Sequence, residues 1–236
     1  MSALGRLLFR YRNMLFPCAF ALVLLPGPRL FADPMIALAV GAACALLGQT
    51  VRALTIGLKY IIRGGRQRRV YARDLVTDGL YAHTRNPMYI GNMLILIGVT
   101  IAANSWACLA TAVPLFVLAY ACIVAAEEEF LRREFGAAFA AYCQRVPRWS
   151  VRLNGLRQSL RDTTFHWRRL VVKEYGTVCG WIGGLSLLGL MRLAQDHALS
   201  AQHAGFHTAL IVTLTFAASL WTAAWAAKRT RVIVAD

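Results

Sequence analysis

Thr77-Asp78-Gly79-Leu80-Tyr81-Ala82-His83-Thr84-Arg85-Asn86-Pro87-Met88-Tyr89-Ile90-Gly91-Asn92 is a polar, turn-rich run set between long apolar stretches, and it opens directly into one of them. Asn-Pro predicts a turn and then a helix start, with Asn86 as N-cap and Pro87 at the first helical position, where a missing N–H is harmless. Alone, the run reads as a helix cap at a membrane boundary. A partner segment about 40 residues on changes that reading: Glu127-Glu128-Glu129-Phe130-Leu131-Arg132-Arg133-Glu134-Phe135-Gly136, running on to Tyr142 and Arg145-Val146-Pro147-Arg148. Carboxylates in the last turn of a membrane helix oppose the helix dipole and lie close to hydrocarbon, so something must offset their cost. A bound cation would do so.

Composition sets the frame for this pair of segments. Of 236 residues 58% are hydrophobic and only 16% charged, and the mean hydropathy is +0.51, too apolar for a soluble domain of this length. The profile is that of an all-α, polytopic membrane helix bundle without a second soluble domain. The net charge of +15 does not point to nucleic acid, because the basic residues lie in loops between apolar stretches and form no face interleaved with aromatics. Six cysteines, at 18, 44, 108, 122, 143 and 179, contain no C-x-x-C pair and lie mostly inside apolar segments, so they read as small buried hydrophobes, with no disulfide framework and no metal site. No cleavable signal peptide is expected, since the first apolar run is not followed by a small-residue cleavage site.

In chain order, a basic lead-in precedes a short apolar stretch from Met14 to about Leu25, ended by Pro26-Gly27-Pro28. It either spans or lies in the interface, giving about six spans in all, or five if it is interfacial. Met35 to Ile62 is ample for a span, although Arg52 interrupts it. That Arg either faces a wet interior or a partner, or snorkels to the near interface. After the basic loop Arg63 to Arg69, Pro87 to about Ala103 and Trp106 to Ala126 form the third and fourth apolar runs, with a kink expected at Pro114. Arg132 to Lys173 reads as a surface helix followed by interfacial coil. Tyr175 to Leu193 and Phe206 to Ala227 complete the set, joined by a polar link containing His203. His203 and His207 share a helix face without acidic or Cys company and read as packing residues. Three segments result: N-terminal membrane helices over 1–62, a core over 63–150, and an interfacial linker with two membrane helices over 151–236.

Threading six spans from a cytoplasmic N-terminus puts 23 of the 26 Lys and Arg residues inside and only Arg29 and Arg192 outside, with Arg52 apart. Both termini are therefore expected in the cytoplasm. The same threading brings the opening run and the Glu cluster to one surface, at the start of one span and the end of the next. Carboxylates, tyrosines, a helix N-terminus and apolar walls would meet there. Such a pocket suits a ligand with a positive group and an aromatic base, reacting with an amphiphile. No phosphate loop, H-E-x-x-H, nucleophile elbow or dinucleotide fingerprint is present.

The residues Gly79-x-Tyr81-x-x-x-Arg85-Asn86-Pro87-x-Tyr89-x-Gly91, with Glu127-Glu128-x-x-Leu131-x-x-x-Phe135-Gly136 and Tyr142-x-x-Arg145-Val146-Pro147, carry a resemblance. The pattern resembles the isoprenylcysteine carboxyl methyltransferase family and the related phospholipid methyltransferases, over roughly residues 60–148. The resemblance implies a membrane enzyme using S-adenosyl-L-methionine in a cytosolic pocket of helix ends and loops. It places cofactor contacts on Leu75, Val76, Tyr81, Asn86, Pro87, Met88, Tyr89 and Glu127. The residue chemistry agrees: Glu127 can pair with an α-amino group, the two tyrosines can contact the adenosine or sulfonium, and helix-start N–H groups can take a carboxylate. Glu128 is expected in the catalytic site, with Arg85 and Arg145 either orienting the carboxylates or meeting lipid phosphates. Glu128 and Glu129 also stand four residues before Arg132 and Arg133, so surface ion pairs are the alternative, and Glu129 is expected to be structural. Where the prenylcysteine enzymes carry Arg-His-Pro this chain has Arg85-Asn86-Pro87, and Ile123 stands where they tend to place an Arg.

The expected activity is methyl transfer to a lipid-like or prenylated acceptor entering from the bilayer, the acceptor atom being a carboxylate, an amine or a thiol. A phospholipid amine or thiol methyltransferase is the alternative within the fold. A non-catalytic membrane subunit or carrier, and a reductase of the steroid-reductase type, are the alternatives outside that activity. The last two helices would complete the bundle, bind a partner, or form a homodimer through Gly180, Gly183 and Gly184.

Overall fold

The computed structural model describes residues 4–5, 7–11, 21–59, 74–195 and 204–229. The basic loop after Lys59, most of the first apolar stretch and the link containing His203 lie outside the described residues. Among those described, the chain is helical with no strand: α1 (Pro34–Leu58), α2 (Pro87–Ala102), α3 (Trp106–Arg145), α4 (Leu156–Asp162), α5 (Trp167–Gln195) and α6 (Ala204–Arg229), with 3₁₀ turns at Ala21–Leu24 and Gly79–Ala82. Three helical stretches, Pro34–Leu58, Trp106–Arg145 and Gly205–Ala227, are long and apolar enough to cross a membrane. The third apolar run forms a helix of only 16 residues. At 1.5 Å per residue it is about 24 Å long, short of the ~30 Å hydrocarbon core. The fifth run lies in α5, which starts eight residues earlier, at Trp167, and so carries Arg168, Arg169, Lys173 and Glu174 in its first turns.

α1 and α2 pack antiparallel through glycines. Asp33 starts α1 by accepting the Met35 N–H at 2.7 Å, with Pro34 in the first turn. Gly41 and Gly48 on α1, and Gly91 and Gly98 on α2, are seven residues apart and so lie on one helix face each. A Cβ on Gly41 would sit 2.5 Å from the Gly98 carbonyl oxygen, and one on Gly48 would sit 2.5 Å from that of Gly91. No side chain fits between these backbones. Between lipid-immersed helices, close packing of this kind replaces the hydrophobic drive that holds soluble bundles together.

The turn from α2 to α3 is made by Asn104, at φ 51°. Its amide accepts the Leu30 and Phe31 N–H groups and donates to the Phe31 carbonyl, tying the segment before α1 to this turn. Ser105 then caps α3 through the Cys108 N–H. α3 runs on through Pro114 with helical backbone angles, and its non-helical point is Gly136 (φ 47°, ψ −119°). Glycine alone reaches that conformation without strain, whereas membrane helices absorb an interior Pro by local adjustment. The segment beyond Gly136 brings Phe139 and Tyr142 against Leu131, Val146 and Leu75. The expected surface helix from Arg132 is therefore the bent end of α3, followed by coil and the short α4.

Candidate functional site

The opening run is held by bonds to residues that follow the bend of α3. Gly79 begins its 3₁₀ turn at φ 59°. Tyr81 is buried, and its carbonyl accepts the Tyr142 hydroxyl at 2.7 Å. His83, also buried, exchanges backbone and ring bonds with Arg152, its Nδ1 lying 2.8 Å from the Arg152 carbonyl and its Nε2 2.9 Å from Ser159 Oγ. The Arg85 N–H donates to the Pro147 carbonyl at 2.9 Å.

Asn86 occupies the N-cap position of α2, but its side chain does not cap. The amide Nδ2 donates 3.0 Å to the Arg148 carbonyl, across to the other segment. The Asn86 carbonyl meanwhile accepts the N–H groups of Tyr89 and Ile90. Pro87 has no N–H to satisfy at the helix start.

The two neighbouring carboxylates of α3 are both buried but have different partners. Glu127, 3% exposed, accepts the Tyr89 hydroxyl at 2.8 Å, which joins the start of α2 to α3. Tyr89 in turn lies against Tyr120, with ring centroids 5.2 Å apart. Glu128, 5% exposed, receives Arg85 Nη1 at 3.2 Å and Arg148 Nε at 3.1 Å on one oxygen, and Arg148 Nη2 on the other. The hydrogen bond to Glu128 raises Arg148 above the usual arginine range, with burial opposing. Arg85 also points Nη1 at Cys143 Sγ, 2.7 Å away, while its Nε and the Thr84 hydroxyl are buried without a hydrogen-bond partner. Glu129 pairs one turn along with Arg133 on the outer face.

Thus Tyr89 and Glu127 are in contact, and Arg85 meets Glu128. Leu75 packs beneath them against the Tyr142 cluster, with Val76 half-buried beside it. Arg145 is exposed, and its carbonyl accepts Arg152 Nη1 at 2.5 Å. The cation that grips Glu128 in two-pronged fashion is Arg148, three residues further on. Its signal was its place one residue after Val146-Pro147, where the chain leaves α3 and turns back towards Asn86.

A second polar cluster lies deeper. Arg52 is buried, not snorkelling, and donates Nε (2.8 Å) and Nη2 (2.5 Å) to the two oxygens of Glu174 on α5. Its Nη1 reaches Asn92 on α2, and Gln49 adds a bond to Glu174 at 2.9 Å. Trp181 Nε1 donates to Gln49 at 3.0 Å. Arg52, Asn92 and Trp181 line a cavity of about 550 Å³ between α2, α3 and α5, whose walls are otherwise mostly apolar. No group of three or more His, Cys, Asp or Glu side chains suited to a metal ion occurs among the described residues.

Fold and site together define a membrane helical bundle with paired buried carboxylates where one apolar helix begins and the apolar part of the next gives way to charge. Residues 36–138 match the model of the phospholipid methyltransferase family. Over 113 residues the chain is 28% identical to the cobalt-zinc-cadmium resistance protein CzcN of Cupriavidus metallidurans, an alignment covering 42% of this chain and 52% of that protein. The chain thus spans about half the length of the curated relative it matches. No solved structure matches it. The family match takes in α1, α2 and α3 just past the Gly136 bend, including Tyr89, Glu127 and Glu128. Arg148, Glu174 and the helices α4 to α6 lie beyond it.

Proposed function

We propose that this chain is an integral-membrane methyltransferase that uses S-adenosyl-L-methionine to methylate a lipid-like or prenylated acceptor, with both termini in the cytoplasm. The observation that carries the reading is the buried Tyr89–Glu127 contact, formed inside the family-matched segment where α2 starts and the apolar part of α3 gives way to charge. The Tyr89 hydroxyl orients Glu127, and an oriented carboxylate, which accepts from several donors at once, suits an ammonium group. Glu127 and Tyr89 would hold the amino-acid end of the cofactor, and N–H groups at the start of α2 would meet its carboxylate. When bound, the cofactor supplies an electrophilic methyl group on a sulfonium.

The chain's own contribution is alignment and exclusion of water, since in-line attack on a methyl needs little else. Glu128 is fastened by two arginines, which suits it to positioning. For it to take a proton from an amine acceptor, Arg148 would have to release it. A carboxylate or thiolate acceptor needs no base, and the geometry favours these.

Calorimetry on the detergent-purified chain tests the reading. The wild type binds S-adenosyl-L-methionine, and Glu127→Ala weakens binding by roughly 10- to 100-fold, the loss expected for a hydrogen bond to a charged group. Membranes given methyl-labelled cofactor should then yield a labelled lipid whose chemistry names the acceptor. A wild-type protein without cofactor affinity would sink the proposal, and binding without labelled product would leave a carrier.

A further inference from the structure

The cavity between α2, α3 and α5 is distinct from the carboxylate site and adjoins it across the Tyr120 ring. Tyr120 forms part of its wall, and the other face of the contact is Tyr89, whose hydroxyl holds Glu127. At about 550 Å³ it falls within the roughly 300–1,000 Å³ of small-molecule sites. Its polar lining is Arg52, Asn92 and Thr177, and the guanidinium is already matched by Glu174. Beyond them the walls are Ile95, Leu96, Phe116 and Trp181. With its guanidinium already paired, the lining suits a hydrocarbon better than an ionic ligand.

The α5 side of this cavity is made of Gly176, Gly180 and Gly184, one turn apart. Unlike the glycines of α1 and α2, none of these three has a heavy atom within 4 Å of the place a Cβ would take. Among the described residues, then, no other helix presses on them. Over eight residues the glycine wall runs about 12 Å along the helix, a length suited to a chain.

We propose that this groove receives the single hydrocarbon chain of the acceptor and that α5, which lies beyond the family-matched segment, sets the chain length it takes. The assignment rests on the methyltransferase reading for the headgroup, which would sit past Tyr120 beside Glu127. Lipid tails are as apolar as the groove, so selection comes from fit and not from a hydrophobic drive. A side chain placed on the glycine wall should therefore exclude a chain that fits the wild type.

The test uses the full chain in nanodiscs with two single-chain probes, each carrying a diazirine near its chain end: a lysophosphatidylethanolamine and a farnesylcysteine. Adducts are mapped by mass spectrometry, and cofactor affinity is measured on the same samples. One probe is expected to label Ile95, Leu96, Phe116 or Trp181, which names the chain as acyl or isoprenyl. Gly180→Leu should cut that labelling by roughly 5- to 100-fold, the range for overpacking a fitted site. Gly184→Leu, at the deep end, should reject the full-length probe and keep a shortened one, and it serves alone if Gly180→Leu does not fold. Labelling spread equally over the exposed face of α6, at Phe216 and Trp221, and unmoved by either leucine would overturn the groove. Groove labelling in a wild type that binds no cofactor would instead overturn the acceptor assignment through the failure of the methyl-transfer reading.

Discussion

The molecule buries carboxylates in two places and treats them differently. Around Arg52 and Glu174 every strong group is answered: both carboxylate oxygens take guanidinium N–H groups, and Gln49, Asn92, Thr177 and Trp181 complete a closed network drawn from three helices. Side-chain exposure is 10% for the Arg and 3% for the Glu. Around Glu128 the network has an open edge. Arg148 is 45% exposed and the buried Arg85 Nε has no acceptor. A closed charge network fastens helices together, whereas one with an edge towards water can exchange partners. The contrast makes the first cluster a fastener of α5 and marks the second as the site on which the proposed function rests.

The comparison breaks most readily at Glu174. Replacing it with Ala strands Arg52 in a buried setting, and removing one member of such a pair costs about 3–5 kcal/mol. Thermal unfolding in detergent should show that loss, with α5 released to proteolysis. The double variant Arg52→Met, Glu174→Leu should recover most of it, because exchanging both charges for apolar groups is close to neutral. Should Glu174→Ala unfold like wild type, the network is not what binds α5 to the bundle.

A smaller effect is expected at Tyr89. Tyr89→Phe keeps the ring against Tyr120 and removes only the hydroxyl on Glu127. Cofactor affinity should fall by roughly tenfold, since a hydrogen bond to a charged group contributes about 1.5–3 kcal/mol. The unfolding temperature should move far less than in Glu174→Ala. A variant that loses stability and keeps its affinity would make the Tyr89 contact one more helix fastener, and the two clusters would no longer differ in kind.

Much of the first cluster was hidden in the sequence for a definable reason. Arg52 stood out because a charge inside an apolar run requires an explanation. Its partner did not, because Glu174 follows Arg168, Arg169 and Lys173 in a stretch that reads as interfacial. Only the three-dimensional path of α5 brings the two together. The second cluster was more legible, since threading the apolar runs puts Tyr89 and Glu127 at the same end of neighbouring helices. What threading cannot supply is the bend: a positive φ at Gly136 decides that Tyr142 and Arg148 fold back over the motif. The same fold-back diverts the Asn86 amide from capping to the Arg148 carbonyl, a competition between local and distant acceptors that no spacing rule resolves. The glycines show the limit from the other side. Gly48 and Gly180 are both membrane-helix glycines in the sequence, yet one is pressed against backbone and the other faces a cavity.

The smallest expected effect marks the boundary of the open cluster. Glu129 follows directly on the two buried carboxylates, but one step of 100° around the helix carries it to the outer face, where it meets Arg133 four residues on. The arginine of that pair is 75% exposed, so solvent screens the attraction and pairs of this type contribute only about 0.2–0.5 kcal/mol. Glu129→Gln should leave the unfolding temperature nearly in place and change cofactor affinity by less than about twofold, because half a kcal/mol is the most the pair can transmit. Isothermal titration of Glu127→Gln and Glu129→Gln side by side makes the measurement decisive. Equal losses would mean that the ligand feels the summed negative charge of the helix end, while a loss confined to Glu127→Gln would mean that it is held at one oriented carboxylate.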